Sequence, residues 1–173
     1  MDCAKIKFKQ LLAPIADAFA GGYTSPVTKV TGYEKVCYRV NLGASTGGTA
    51  RHTYYLELAK GNSLVKIPFE YRCGTGSAAA AGTDVEGSVT AAVSISGTGS
   101  ISAANSRNNQ IIIWPNLQTM AMYPEADGIR IVLTEDVDDP VVAGISVDLY
   151  EPKFNRAGDL PGAYYMSGTG GTF

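Results

Sequence analysis

Residues 128–152 read GIRIVLTEDVDDPVVAGISVDLYEP, and this stretch decides the class of the fold. At a period of two, Ile129, Ile131 and Leu133 share one face, with Arg130 and Thr134 opposite. After a charged turn, Ala143, Ile145, Val147 and Leu149 share a face, with Ser146, Asp148 and Tyr150 on the other. Two alternating runs about a short turn containing Asp and Pro predict an antiparallel hairpin with one buried face.

Working back from it, residues 110–117 contain IIIW, apolar on both sides, which predicts a central strand or one covered by a partner. Val85, Val89, Ala91, Val93 and Ile95 form a further inward row. Val65, Ile67, Phe69 and Tyr71 alternate with Lys66, Glu70 and Arg72, and Pro68 places that strand at an edge or a bulge because it cannot donate to a ladder. Tyr54, Leu56 and Leu58 make another row, and Val36, Tyr38, Val40 and Leu42 another. Loops rich in Gly, Ser, Thr and Ala separate these runs, at 43–49, 74–83 and 97–107. About eight strands at such spacing predict an all-β, single antiparallel β-sandwich, with jelly-roll topology.

The two ends read differently. Lys5, Lys7 and Lys9 alternate with Ile6 and Phe8, as in a strand or an extended arm. From Phe8 onward, Leu11, Leu12, Ile15 and Phe19 recur at helical spacing, with Pro14 inside the pattern. The expectation is a short N-terminal helix or arm over 1–22, ended by Gly21 and Gly22. The β-sandwich domain then covers 23–152, and 153–173 forms an extended, irregular C-terminal tail.

Charged residues make up 17% of the chain, against about a quarter in an average protein. Small residues fill the deficit, 20 of them Gly. Such a surface loses little side-chain entropy when it packs against neighbours. The net charge of −2 hides a split, +5 over residues 1–72 and −7 over 73–173, which suits head-to-tail association of copies. No arm is basic enough to package nucleic acid, and no apolar run is long enough to span a membrane as a helix. Cys3, Cys37 and Cys73 form neither a disulfide framework nor a metal motif. Their odd number, with no signal-like segment, points to reduced thiols and assembly inside a cell.

Motifs that name a chemistry are missing. His52, the one histidine, reads as an ordinary strand-edge residue, which leaves acid–base or triad catalysis little to work with. The glycine clusters lack the helix and Lys of a phosphate loop. Glu135, Asp136, Asp138 and Asp139 crowd one turn and could ligate Ca²⁺, but their spacing is not that of an EF-hand; a solvated turn or a contact to a basic neighbour is the preferred reading. Tyr54, Tyr55, Tyr71, Trp114, Tyr123 and Tyr150 could stack on a sugar, although several fall on inward rows.

The expectation is therefore a non-enzymatic protein with no cofactor. It is a structural subunit of a large assembly, best matched by a phage virion protein (capsid decoration, cement or coat), located in the virion and assembled in the host cytoplasm. Its partners would be copies of itself and other virion proteins. Lys5, Lys7, Lys9, Tyr164, Tyr165, Met166 and Phe173 are the contact residues expected at the two ends. The alternative is a carbohydrate-binding or adhesin module of a phage tail or fibre.

Overall fold

The computed structural model describes residues 6–45, 51–75, 88–89, 93–95, 101–104, 109–115, 123, 125–137 and 140–152. Among them there is no helix, and they form thirteen strands in two antiparallel sheets. They are β1 (Ile6–Ile15), β2 (Tyr23–Thr24), β3 (Thr28–Lys29), β4 (Tyr33–Ser45), β5 (Arg51–Lys60), β6 (Ser63–Ile67), β7 (Phe69–Thr75), β8 (Ser88–Val89), β9 (Val93–Ile95), β10 (Ile101–Ala104), β11 (Asn109–Pro115), β12 (Gly128–Val137) and β13 (Val141–Pro152). One sheet has seven strands in the order β1-β13-β4-β11-β7-β8, with β9 also on β7. The other has six, in the order β10-β5-β12-β2, with β3 on β12 and β6 on β5.

Eight of these strands form the frame. Numbering β1, β2, β4, β5, β10, β11, β12 and β13 from one to eight gives sheet orders 1-8-3-6 and 2-7-4-5. That is the double-sheet jelly roll, in which the first and last strands lie side by side. Strands β6 to β9 are an insertion between the fourth and fifth of the eight, and through β7 they widen the first sheet beyond β11.

The core lies between the sheets. Val36, Tyr38, Val40 and Leu42 of β4 and Ala143, Ile145, Val147 and Leu149 of β13 face Tyr54, Leu56 and Leu58 of β5 and Ile129, Ile131 and Leu133 of β12. Ile111, Ile113, Ile67 and Phe69 complete it. The Tyr38 hydroxyl donates to the carbonyl of Ile129 across the two layers, 2.9 Å, so this buried hydroxyl is bonded. Phe19 plugs one end, held by the bond from Ala18 N–H to the Val141 carbonyl and by a turn with positive φ at Asp17, Gly21 and Gly22.

Three expectations change. The stretch 128–152 does have one buried face, but it is no hairpin: β12 and β13 lie in different sheets, and the acidic turn carries the chain across the sandwich. Alternation reports which side chains are buried, and it is identical for a hairpin and for two strands facing each other across a core. The run from Val65 to Tyr71 splits for the same reason. β6 ends at Ile67, β7 begins at Phe69, and Pro68 marks the corner where the chain changes sheets. Of residues 85–95, only the short strands β8 and β9 are described, both on β7.

The third is the N-terminal helix, which is instead strand β1. Its register on β13 runs Lys7 to Leu149, Lys9 to Val147, Leu12 to Ile145 and Ile15 to Ala143, with irregularities after Gln10 and Leu12. Each bulge adds a residue between neighbours on one face. The row 7, 9, 12, 15 thereby acquires gaps of three, which is the spacing that resembled a helix.

Candidate interaction face

The expected contact residues separate. Lys7 and Lys9 are exposed on β1, the edge strand of the seven-stranded sheet. Opposed residues on antiparallel strands point to the same side, so both lysines project on the core side of the sheet, beyond the cover of the second sheet. Lys5, Tyr164, Tyr165, Met166 and Phe173 lie outside the described residues. The strands that lead to the two ends are neighbours all the same: Ile6 pairs with Tyr150.

At the acidic turn, Asp136 is exposed and accepts a bond from Thr53 Oγ1 at 2.5 Å; Glu135 is half-buried, and Asp138 and Asp139 lie outside the described residues. Among the described residues no three His, Cys, Asp or Glu side chains gather as a metal-holding group.

His52 is no strand-edge residue. It lies on β5, paired on both sides by β10 and β12, and is fully buried against the ring of Phe19, centroids 4.9 Å apart and edge-on. Of the aromatic residues, Tyr54 is buried, and Tyr71 and Tyr123 pack against the core. Tyr55 lies under the Lys66 ammonium, 3.8 Å from its centroid. Trp114 and Tyr150 are half-buried.

Those last two mark the surface with the most developed geometry, the outer face of the seven-stranded sheet. Register builds it row by row. Phe8 of β1 stands beside Asp148 of β13, which stands beside Cys37 of β4. Trp114 lies one residue beyond the pairing of Ile113 with Tyr38, level with Cys37, and opposes Glu70 of β7. The next row runs Gln10, Ser146, Arg39, Ile112 and Arg72.

A polar triad sits in the middle. Arg39 donates from Nε to Asp148 Oδ2 at 2.6 Å and from Nη2 to the Tyr150 hydroxyl at 3.1 Å. The Tyr150 hydroxyl donates to the same Asp148 oxygen at 2.9 Å. Asp148 is only 5% exposed although it is on an outer face, because Arg39 and Tyr150 lie against it. The hydrogen bonds from Arg39 to Asp148 and Tyr150 raise the guanidinium pKa further above its ordinary value. Cys37, half-buried beside them, has its thiol pushed up to about 11 by burial, with Arg39 lowering it and Asp148 raising it. It is a protonated, weakly nucleophilic thiol at neutral pH. Trp114 is oriented in the same way, its Nε1 donating to Glu70 Oε2 at 2.9 Å.

The opposite outer face, on the six-stranded sheet, differs in kind. Arg130 binds Glu57 Oε2 through Nε at 2.7 Å and Nη2 at 2.6 Å, and Lys66, Thr53 and Asp136 surround it with further polar groups. One face thus carries the Arg130–Glu57 ion pair, the Lys66 ammonium over Tyr55 and the exposed Leu64. The other carries Phe8, Cys37, Ile112 and Trp114, with its two carboxylates bonded internally. Sequence reading had placed Asp148 and Tyr150 on a polar side but had not joined them to Arg39, because no local signal says that β13 pairs with β4.

No protein-family model, no curated protein and no solved structure matches this chain.

Proposed function

We propose that this chain is a non-enzymatic structural subunit of a large assembly, a phage virion protein of the capsid decoration, cement or coat kind, assembled in the host cytoplasm. The observation that carries the reading is the strand order 1-8-3-6 over 2-7-4-5, a double-sheet jelly roll of the sort that viral capsid proteins use. Fold alone is an argument by analogy. Its support comes from a surface poor in charge and rich in small residues, and from the two chain ends leaving on neighbouring strands. In a subunit built this way the start of β1 and the end of β13 share one corner of the sandwich, and contacts to neighbouring copies are expected there. Electron microscopy and sedimentation of the full chain test the reading. Ordered, concentration-dependent assemblies are expected, and deletion of residues 160–173 abolishes them while the β-sheet circular dichroism is kept. A chain that remains monomeric at millimolar concentration and joins no particle would refute it.

The second reading is a carbohydrate-binding or adhesin module. It is favoured by Trp114, half-exposed and fixed by Glu70 on a rigid strand, and lectin domains share the jelly-roll architecture. Saturable glycan binding that quenches Trp114 fluorescence would select it.

A further inference from the structure

We infer that the outer face of the seven-stranded sheet is where a second copy of this chain docks, sheet against sheet. The inference rests on the assembly reading above and names its surface. Four observations carry it.

The first is the contrast between the two outer faces. The seven-stranded sheet shows Phe8, 63% exposed, and, on the strands beyond the Asp148 triad, the half-buried Cys37, Ile112 and Trp114, whereas the six-stranded sheet shows only the aliphatic Leu64, 43% exposed, among Arg130, Glu57 and Lys66. Aromatic residues and arginine are the groups enriched at such contacts.

The second is charge. Arg39 and Arg72 are matched on this face by Asp148 and Glu70, and Lys35, exposed opposite Tyr150, leaves a single net positive charge, so two copies meet with little repulsion. Both carboxylates already have donors within their own chain, so docking strands neither of them. Arg72, exposed on the flanking strand β7, can keep its head group at a wet rim.

Size is the third. Five strands about 4.8 Å apart and some seven residues of about 3.3 Å span roughly 24 by 23 Å. That is about 550 Å² in projection and more with side-chain relief, against about 800 Å² per partner in a standard interface.

The fourth is exclusion of the edge. β1 has core-side Lys7 and Lys9, Pro14 and two bulges, which are devices that prevent strand addition. Copies therefore meet through the face, with the two sheets about 10 Å apart as in a sandwich.

The test uses the full chain. Trp114 is the only tryptophan, so sedimentation velocity and its emission are followed together over a concentration series. Association is expected, with a blue shift of Trp114 as copies bury it. Phe8→Glu and Ile112→Glu should each weaken association at least about 30-fold, the effect of removing one hot spot. Lys66→Glu, on the opposite face, should change it less than about threefold, as a residue outside the contact does. Phe8 is exposed, so its variant stays folded even if the Ile112 variant does not. Association that persists in Phe8→Glu, falls equally in Lys66→Glu, or leaves Trp114 emission unchanged overturns the inference and leaves the assembly reading standing. A chain that never associates removes both.

Discussion

Asp148 is buried while the side chain of Arg39 is 37% exposed, so the two halves of their ion pair are unequal. Removing Arg39 strands a carboxylate with little water, whereas removing the charge of Asp148 leaves a guanidinium that can reach solvent. Breaking a buried pair costs about 3–5 kcal/mol, and the partial exposure here brings the expectation for Arg39→Met to about 2–3 kcal/mol. Asp148→Asn should cost about 1 kcal/mol, since Tyr150 and Arg39 can still donate to the amide oxygen. Urea denaturation of the two variants checks the order, and equal losses would contradict this account. Cys37 gives a second expectation at this scale. Its thiol ionises near 9 when unfolded and at about 11 when folded. Below 9 both states hold the proton and the group is silent. Between about 9 and 11 the unfolded state loses it first, so stability falls with rising pH, by at most about 2–3 kcal/mol, and the loss levels off above 11. Comparing wild type with Cys37→Ala across that window isolates the effect, which should be absent from the variant.

Strand β1 shows how an element can serve the fold and guard it together. Lys7 and Lys9 occupy the positions where a core strand would carry Val or Ile, because the second sheet does not reach that flank. The double variant Lys7→Val, Lys9→Val should fold with stability within about 1 kcal/mol of wild type, yet aggregate through the unguarded edge. Light scattering at equal concentration is the measurement. The turn after β1 is less tolerant. Gly22 has φ +90°, and a Cβ there would stand 3.0 Å from the carbonyl oxygen of Leu133. Gly22→Ala should cost about 1–3 kcal/mol, or a melting temperature lower by roughly 2–4 °C per kcal/mol in a chain this long. The elements differ in how plainly the sequence announced them. β4 and β5 were legible because each keeps an unbroken period of two with one buried face, and β11 because its apolar run Ile111–Trp114 suits a central strand. The bulges of β1 disguised its period, and neither the change of sheet between Val137 and Val141 nor the corner at Pro68 changes the alternation on either side. The triad was illegible for a further reason. Arg39 stands 109 residues from Asp148, and only the sheet order brings them together. His52 was misplaced because β10, which covers one side of its strand, is too short to give a signal.

Across the whole molecule, nearly all the pairings that hold the two sheets together join distant parts of the chain, and β1 with β13 is the most distant of them. Such topologies fold slowly, since loop closure must precede the contacts that reward it. β13 is buried on its inward row and also at Ser146 and Asp148, and β1 covers its outer edge. Deleting residues 1–15 should therefore do more than remove ten strand residues. It leaves β13 with an open edge, and the expected result is insoluble protein; a soluble monomer with native circular dichroism would show that β1 is dispensable. The order of strands also has a meaning in time. During synthesis β1 is made before every other described strand, but the strand it must pair with, β13, is the last of them. At about 5–20 residues per second, β1 waits roughly 7–30 s with no partner in the nascent chain. Lys7 and Lys9 keep that waiting strand soluble, so the same charges that guard its edge in the finished molecule protect the unfinished one from its neighbours on the polysome.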